Sequence, residues 1–178
     1  MINDVILPTG TQYEISHGPW QAIVTEQGAT LRSLRYDGVD VVKSFNADQS
    51  PASSQGQQLL PWPNRIRDGH YTFNGVEQQL AVSEVDRHNA IHGLVAWSRW
   101  SLVKHTDTSV TQAIRIMARP GWPGTIDVHL THRLSDTGLA IEVTARNVGT
   151  TAVPFGYAAH PYFCLGGAID DWMIEAPF

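Results

Sequence analysis

Apolar and polar residues alternate along most of this chain, and the alternation is broken at short intervals by Gly, Pro, Asn and Asp. A period of two puts successive side chains on opposite faces of a pleated strand, and frequent breakers fold such strands back on one another. Helical periodicity is nearly absent. The pattern predicts an all-β chain built as a large antiparallel β-sandwich. Early strands are expected over residues 11–16, 20–26, 30–36 and 39–43, separated by His17-Gly18-Pro19, Gln27-Gly28 and Asp37-Gly38. Asp-Gly suits a tight turn that needs positive φ. Residues 70–73 and 76–80 flank Asn74-Gly75, the strongest short hairpin signal in the chain. Longer strands follow over residues 98–104, 110–119, 125–134, 139–147 and 152–159. Residues 46–63, rich in Ser, Gln, Gly and Pro, are expected to form a long loop. Residues 171–176 read as the start of a further strand with no closing partner, which would leave a sheet edge uncovered.

With 178 residues the chain fits one domain and can bury a core without metal or disulfide staples. Twelve Lys and Arg against 17 Asp and Glu give a net charge of -5. The basic residues are scattered singly, which argues against nucleic acid as a partner. Cys164 is the sole cysteine and cannot bridge internally. The N-terminal Met1-Ile2-Asn3-Asp4-Val5 has no basic region leading into an apolar core, and no run approaches the ~18–20 apolar residues that cross a bilayer. The expectation is a cytoplasmic protein with a small neutral partner and no membrane. Six Trp and five Tyr serve core packing or the flat faces of pyranose rings equally well.

Three stretches carry residues with chemistry. In Leu60-Pro61-Trp62-Pro63-Asn64-Arg65-Ile66, the prolines stiffen the approach to Arg65, whose fork of donors suits paired hydroxyls or an anion. The competing reading is a surface ion pair with Asp68 or another carboxylate. His92-Gly93-Leu94 follows the polar stretch of residues 84–89, and a His before Gly is also what an ordinary turn contains. His88 and His92 are four apart, yet Gly93 and the missing helical pattern oppose a helical metal pair. At His160-Pro161-Tyr162-Phe163, the proline holds His160 in an extended conformation beside aromatic rings. A His so placed is either a fixed proton donor, a role that suits histidine because the free imidazole titrates near working pH, or a packed structural residue. His129 and His132 sit three apart on one strand and face opposite ways, so they cannot share a ligand.

Taken in order, Asn64-Arg65-Ile66, His92-Gly93-Leu94 and Gly156-x-x-x-His160-Pro161-Tyr162-Phe163 resemble the aldose 1-epimerase family, from the first hairpins to about Trp172. The resemblance implies the galactose mutarotase-like supersandwich, with residues 1–178 as one domain lacking the family's C-terminal strands. It implies that Arg65, with Asn64 and Tyr162, binds sugar hydroxyls, that His92 contacts the substrate near the ring oxygen, and that His160 is the general acid. No metal or cofactor is implied. The family's general-base Glu and a substrate-binding Asp lie beyond the matched motifs, and Glu175 does not match the base position. The implied activity is α/β interconversion of a free hexose, impaired for want of the base. The alternatives are a carbohydrate-binding module without turnover and an epimerase of a phosphorylated hexose using Arg65 and Arg67. A homodimer, or pairing with a chain that completes the sheet, is the expected assembly.

Overall fold

The computed structural model describes residues 6–164 and 166–176, so the N-terminal pentapeptide lies outside the described residues. Two four-stranded antiparallel sheets dominate. The first runs in sequence order through β1 (Gln12–His17), β2 (Trp20–Thr25), β3 (Leu31–Tyr36) and β4 (Val39–Asp40). Between them the chain forms three two-stranded pairings. β5 (Gln58–Leu59) pairs with the distant β14 (Ala158–Ala159), β6 (Arg65–Arg67) with β9 (Asn89–Ile91), and β7 (His70–Phe73) with β8 (Val76–Gln79). The second large sheet contains β10 (Ser101–His105), β11 (Ser109–Ile116), β12 (Ile126–Ser135) and β13 (Gly138–Asn147), again in sequence order. The architecture is therefore all-β and antiparallel.

The tight turns form where the residues allow positive φ. Asp37 and Gly38 lie at φ 48° and 77°, and Asn74 and Gly75 at 51° and 77°. A pair of positive φ values matches the twist of the flanking strands, which is why these two dipeptides close hairpins.

One face of β12 organises the core. Ile126, Val128, Leu130, His132 and Leu134 are all buried, while Asp127, His129, Thr131 and Arg133 face the other way. His129 is exposed and His132 buried, as their odd spacing predicts. At one end Leu134 and Val110 pack against Tyr13, Ile15, Val24 and Leu34 of the first sheet. Gln112 adds a polar tie between the sheets, its Nε2 donating to the Thr25 carbonyl at 3.1 Å. Towards the other end, Ile126, Val128 and Leu130 are covered by the connecting segment, through Leu60, Leu80, Val95 and Trp100, and by Trp122 from the loop between β11 and β12. Each fully buried side chain of this size contributes ~1.5–3 kcal/mol. The connector, which carries the Asn64-Arg65 and His92 motifs, is thus anchored by this core.

The expected loop over residues 46–63 needs correction. Its second half is interior: Gln57, Gln58, Leu59 and Leu60 are buried, and β5 lies within it. Buried glutamines are tolerated because their amides are bonded, Gln57 Nε2 donating to the Ala96 carbonyl at 2.9 Å and Gln58 Oε1 accepting from the Tyr157 hydroxyl at 2.7 Å. The strand expected over residues 152–159 shrinks to β14, since Pro154 offers no N–H to a ladder. Residues 171–176 form no strand; a 3-10 turn at Ile169–Asp171 precedes irregular chain. Among the described residues no helix is long and apolar enough to cross a membrane.

Candidate functional site

His160 is placed by pairing on both sides of its peptide. β14 pairs with β5 in register Ala158↔Leu59 and Ala159↔Gln58. The next residue continues the contact, with His160 N–H donating to the Gln57 carbonyl at 3.1 Å and the Gly56 N–H donating to the His160 carbonyl at 2.8 Å. Beyond Pro161 the chain pairs with a different segment, Phe163 bridging Val42. Tyr162 is fixed at both ends, its carbonyl accepting from Lys43 N–H at 2.7 Å and its hydroxyl donating to the Ser53 carbonyl at 3.1 Å. Its ring lies 5.5 Å from that of His160.

His92 is placed by a reciprocal contact with Asn64. Both residues adopt positive φ, 60° and 56° respectively, in a region costly for residues bearing a Cβ. His92 N–H donates to the Asn64 carbonyl at 2.9 Å, and Asn64 N–H donates to His92 Nδ1 at 3.2 Å. An Nδ1 that accepts carries no proton, so the neutral ring holds its hydrogen on Nε2. Burial lowers the His92 pKa, and the neighbouring His160 lowers it further. His92 is therefore set as a neutral Nε2–H donor. The two imidazoles meet edge to face, with ring centres 5.2 Å apart.

Arg65 leads β6, which pairs with β9 in register Arg65↔Ile91. Its guanidinium forms a two-pronged pair with Glu84, Nε and Nη2 each donating at 2.7 Å, and Nη1 reaches Asn64 Oδ1 at 3.4 Å. The surface-pair reading of Arg65 thus holds for the class of partner, with Glu84 in place of Asp68. Glu84 also accepts from Asn89 Nδ2 at 2.9 Å. These bonds, the one from Arg65 foremost, hold the Glu84 pKa down at about 2. The carboxylate is ionised at all ordinary pH.

Asn64, Arg65, His92, His160 and Tyr162 all line one open cleft of about 830 Å³, within the range of small-molecule sites. Segments nearly a hundred residues apart are brought together here, since β5–β14 and β6–β9 lie side by side. Glu84 was not legible as a site residue from sequence, because its link to Arg65 spans a long separation and matches no spacing rule. Among the described residues no group of three His, Cys, Asp or Glu side chains is arranged to hold a metal. A depression of about 670 Å³ lies elsewhere, walled by residues of the N-terminal segment with Glu26, Trp97 and Arg99. It contains no histidine, and Glu26 is already bonded to Thr11 and Arg99.

Comparison with known proteins gives a consistent result. The model of the family described as aldose 1-epimerase matches residues 11–176. The uncharacterised protein YihR of Escherichia coli K12 is 33% identical over 95% of this chain and 56% of its own length. The aldose 1-epimerase of the same organism is 28% identical over 96% of this chain and 54% of its own. Among solved structures, a putative aldose 1-epimerase from E. coli K12 superposes with a TM-score of 0.75 at 26% identity, covering 88% of this chain and 53% of the other. A GalM/aldose epimerase homologue from C. elegans gives 0.76 at 24% identity, over 89% and 52%. The chain spans about half the length of the relatives it matches.

Proposed function

Since the chain belongs to the aldose 1-epimerase family, we propose that its histidine cleft binds a free hexose and supplies the acid half of α/β interconversion. The supporting observation is the convergence of Asn64, Arg65, His92, His160 and Tyr162 on one cleft, with the two imidazoles in contact. In this reading the His92 Nε2–H donates to the sugar near its ring oxygen and orients it. His160, protonated, gives its proton to that oxygen as the C1–O bond breaks. A base takes the proton of the anomeric hydroxyl, and its electron pair forms the C1 carbonyl of the open chain. Rotation about C1–C2 and reclosure, with the protons returned, give the other anomer. Positioned acid and base each contribute roughly 10²- to 10⁴-fold.

The base is the weak point. Among the described residues, the carboxylates lining the cleft are Glu84 and Asp86, and Glu84 is held by Arg65 with a pKa of about 2. A group so acidic accepts protons poorly. In this proposal the base belongs to the part of the family's sequence beyond the matched motifs, and the chain alone turns over slowly. Anomer exchange followed by polarimetry on fresh α-glucose or α-galactose tests this. The expected rate lies modestly above buffer and falls to the buffer rate in His160→Ala. An acceleration that survives in His160→Ala removes His160 from the acid role. No acceleration in either protein, with sugar still bound, favours the second reading, a binding module without turnover.

A phosphorylated hexose fits less well. Its phosphate needs an available cation, whereas Arg65 is paired with Glu84, and Arg67, the second cation that alternative uses, is not among the described residues that line the cleft. Glucose 6-phosphate is expected to bind no more tightly than glucose at low salt, as titration calorimetry would show. A clear preference for the phosphate that salt abolishes would revive that alternative.

A further inference from the structure

We propose that Ser54 is a further substrate-binding residue, its hydroxyl donating to a hydroxyl of the hexose beside His92. The proposal rests on the reading of the histidine cleft as a hexose site. Ser54 and His92 both border the main cleft and a smaller recess of about 270 Å³ next to it, which places the two residues at the junction of these cavities.

The backbone at Ser54 is unusual for its residue type. Ser53 and Ser54 lie consecutively at φ 50° and 63°, in the turn Ala52–Ser54. Asn, Asp and His visit this left-handed region several times more often than other residues with a Cβ, and glycine occupies it freely; serine has neither allowance. Strain of this kind gathers at the cleft, since Ser53, Ser54, Asn64 and His92 all have positive φ and all line it. Costly conformations persist where the surroundings fix them, and they cluster at ligand sites.

The surroundings fix this turn from both sides. Gln55 N–H donates to the Ala52 carbonyl at 3.0 Å, Gln57 N–H to the Ser54 carbonyl at 3.0 Å, and the Tyr162 hydroxyl to the Ser53 carbonyl at 3.1 Å. Gln55 is buried, its Nε2 donating to the Lys43 carbonyl. The adjoining Gly56 N–H and Gln57 carbonyl hold the His160 peptide, so Ser54 stands at a constant offset from the acid. Preorganisation of this kind spares a ligand the cost of ordering the site. Among the described residues the Ser54 hydroxyl makes no hydrogen bond, and it is not sealed from solvent. Turn serines commonly bond their own neighbouring backbone. This one keeps its donor and both lone pairs for a ligand.

The test is NMR titration of the intact chain with glucose and galactose, for the native sequence, Ser54→Ala and Ser54→Gly, beside urea denaturation of all three. Alanine removes the hydroxyl and keeps the strain; glycine removes both. Both variants are expected to bind sugar roughly five- to tenfold more weakly, the scale of one neutral hydrogen bond. The urea midpoint of Ser54→Gly should be no lower than the native one, because glycine adopts the turn freely. Native affinity in Ser54→Ala overturns the assignment and leaves the hexose reading standing. So does a loss confined to Ser54→Gly, which traces to a loosened turn, or a loss in both variants accompanied by lower urea midpoints, which marks a structural role. Failure of either sugar to bind the native chain overturns the hexose reading and the Ser54 assignment together.

Discussion

Gly93→Ala is expected to destabilise the chain by about 3 kcal/mol or more, at the severe end of single substitutions. Gly93 sits at φ 78°, and a Cβ there would lie 2.0 Å from the Leu60 carbonyl oxygen and 2.4 Å from its carbon. The obstruction is backbone on both sides, so no rotamer change relieves it. Leu60 is itself fully buried, bridges Gly93 in parallel, and accepts from Leu94 N–H at 2.9 Å. Moving it would shift β5, and with β5 the β14 segment that places His160. Gly75→Ala is the control. Gly75 has nearly the same φ, 77°, but open space around its Cβ position, so alanine there should cost only the left-handed penalty of ~1–2 kcal/mol. Urea denaturation midpoints separate the two, and equal losses would contradict the clash as the cause.

The second large effect concerns pH. His132 is fully buried opposite Val110 and Ile141, and neither ring nitrogen has a hydrogen-bond partner among the described residues. Burial pushes its pKa from 6.5 down to about 3. The unfolded chain therefore binds a proton at His132 below pH 6.5 that the folded chain refuses until about pH 3. Stability from this group is complete above pH 6.5 and falls as pH drops through that window, with a limiting slope of about 1.4 kcal/mol per pH unit. His132→Leu should remove this limb. It should also raise stability at pH 7 by ~1–3 kcal/mol, because an unbonded buried polar group is replaced by an apolar one of similar size. Denaturation curves at pH 7 and pH 5 decide the matter. If the variant loses as much stability as the native chain between those values, His132 is not the titrating group.

Legibility in the sequence varied with the range of the forces involved. Hairpins at Asp37-Gly38 and Asn74-Gly75 were visible because turn chemistry is local, and β11 to β13 because alternation over eight to ten residues is hard to mistake. Burial of Gln57 and Gln58 was hidden, since amides score as loop formers until the Ala96 carbonyl and the Tyr157 hydroxyl are known to meet them. The candidate site shows the same division. Asn64, Arg65, His92, His160 and Tyr162 were legible as ordered motifs. Glu84 was not, although it holds Arg65 in both prongs. Pairing across long separations is set by the sheet, and no local pattern encodes it.

The central claim is that His92 and His160 together face a bound hexose. It is tested most directly by following the imidazole ring signals of both residues by NMR while free glucose or galactose is added to the intact chain. The account predicts that both signals shift saturably with one common affinity, while His129, exposed on the outer face of β12, does not respond. Signals of His92 and His160 that stay fixed throughout the titration, or that move only together with His129, would contradict it.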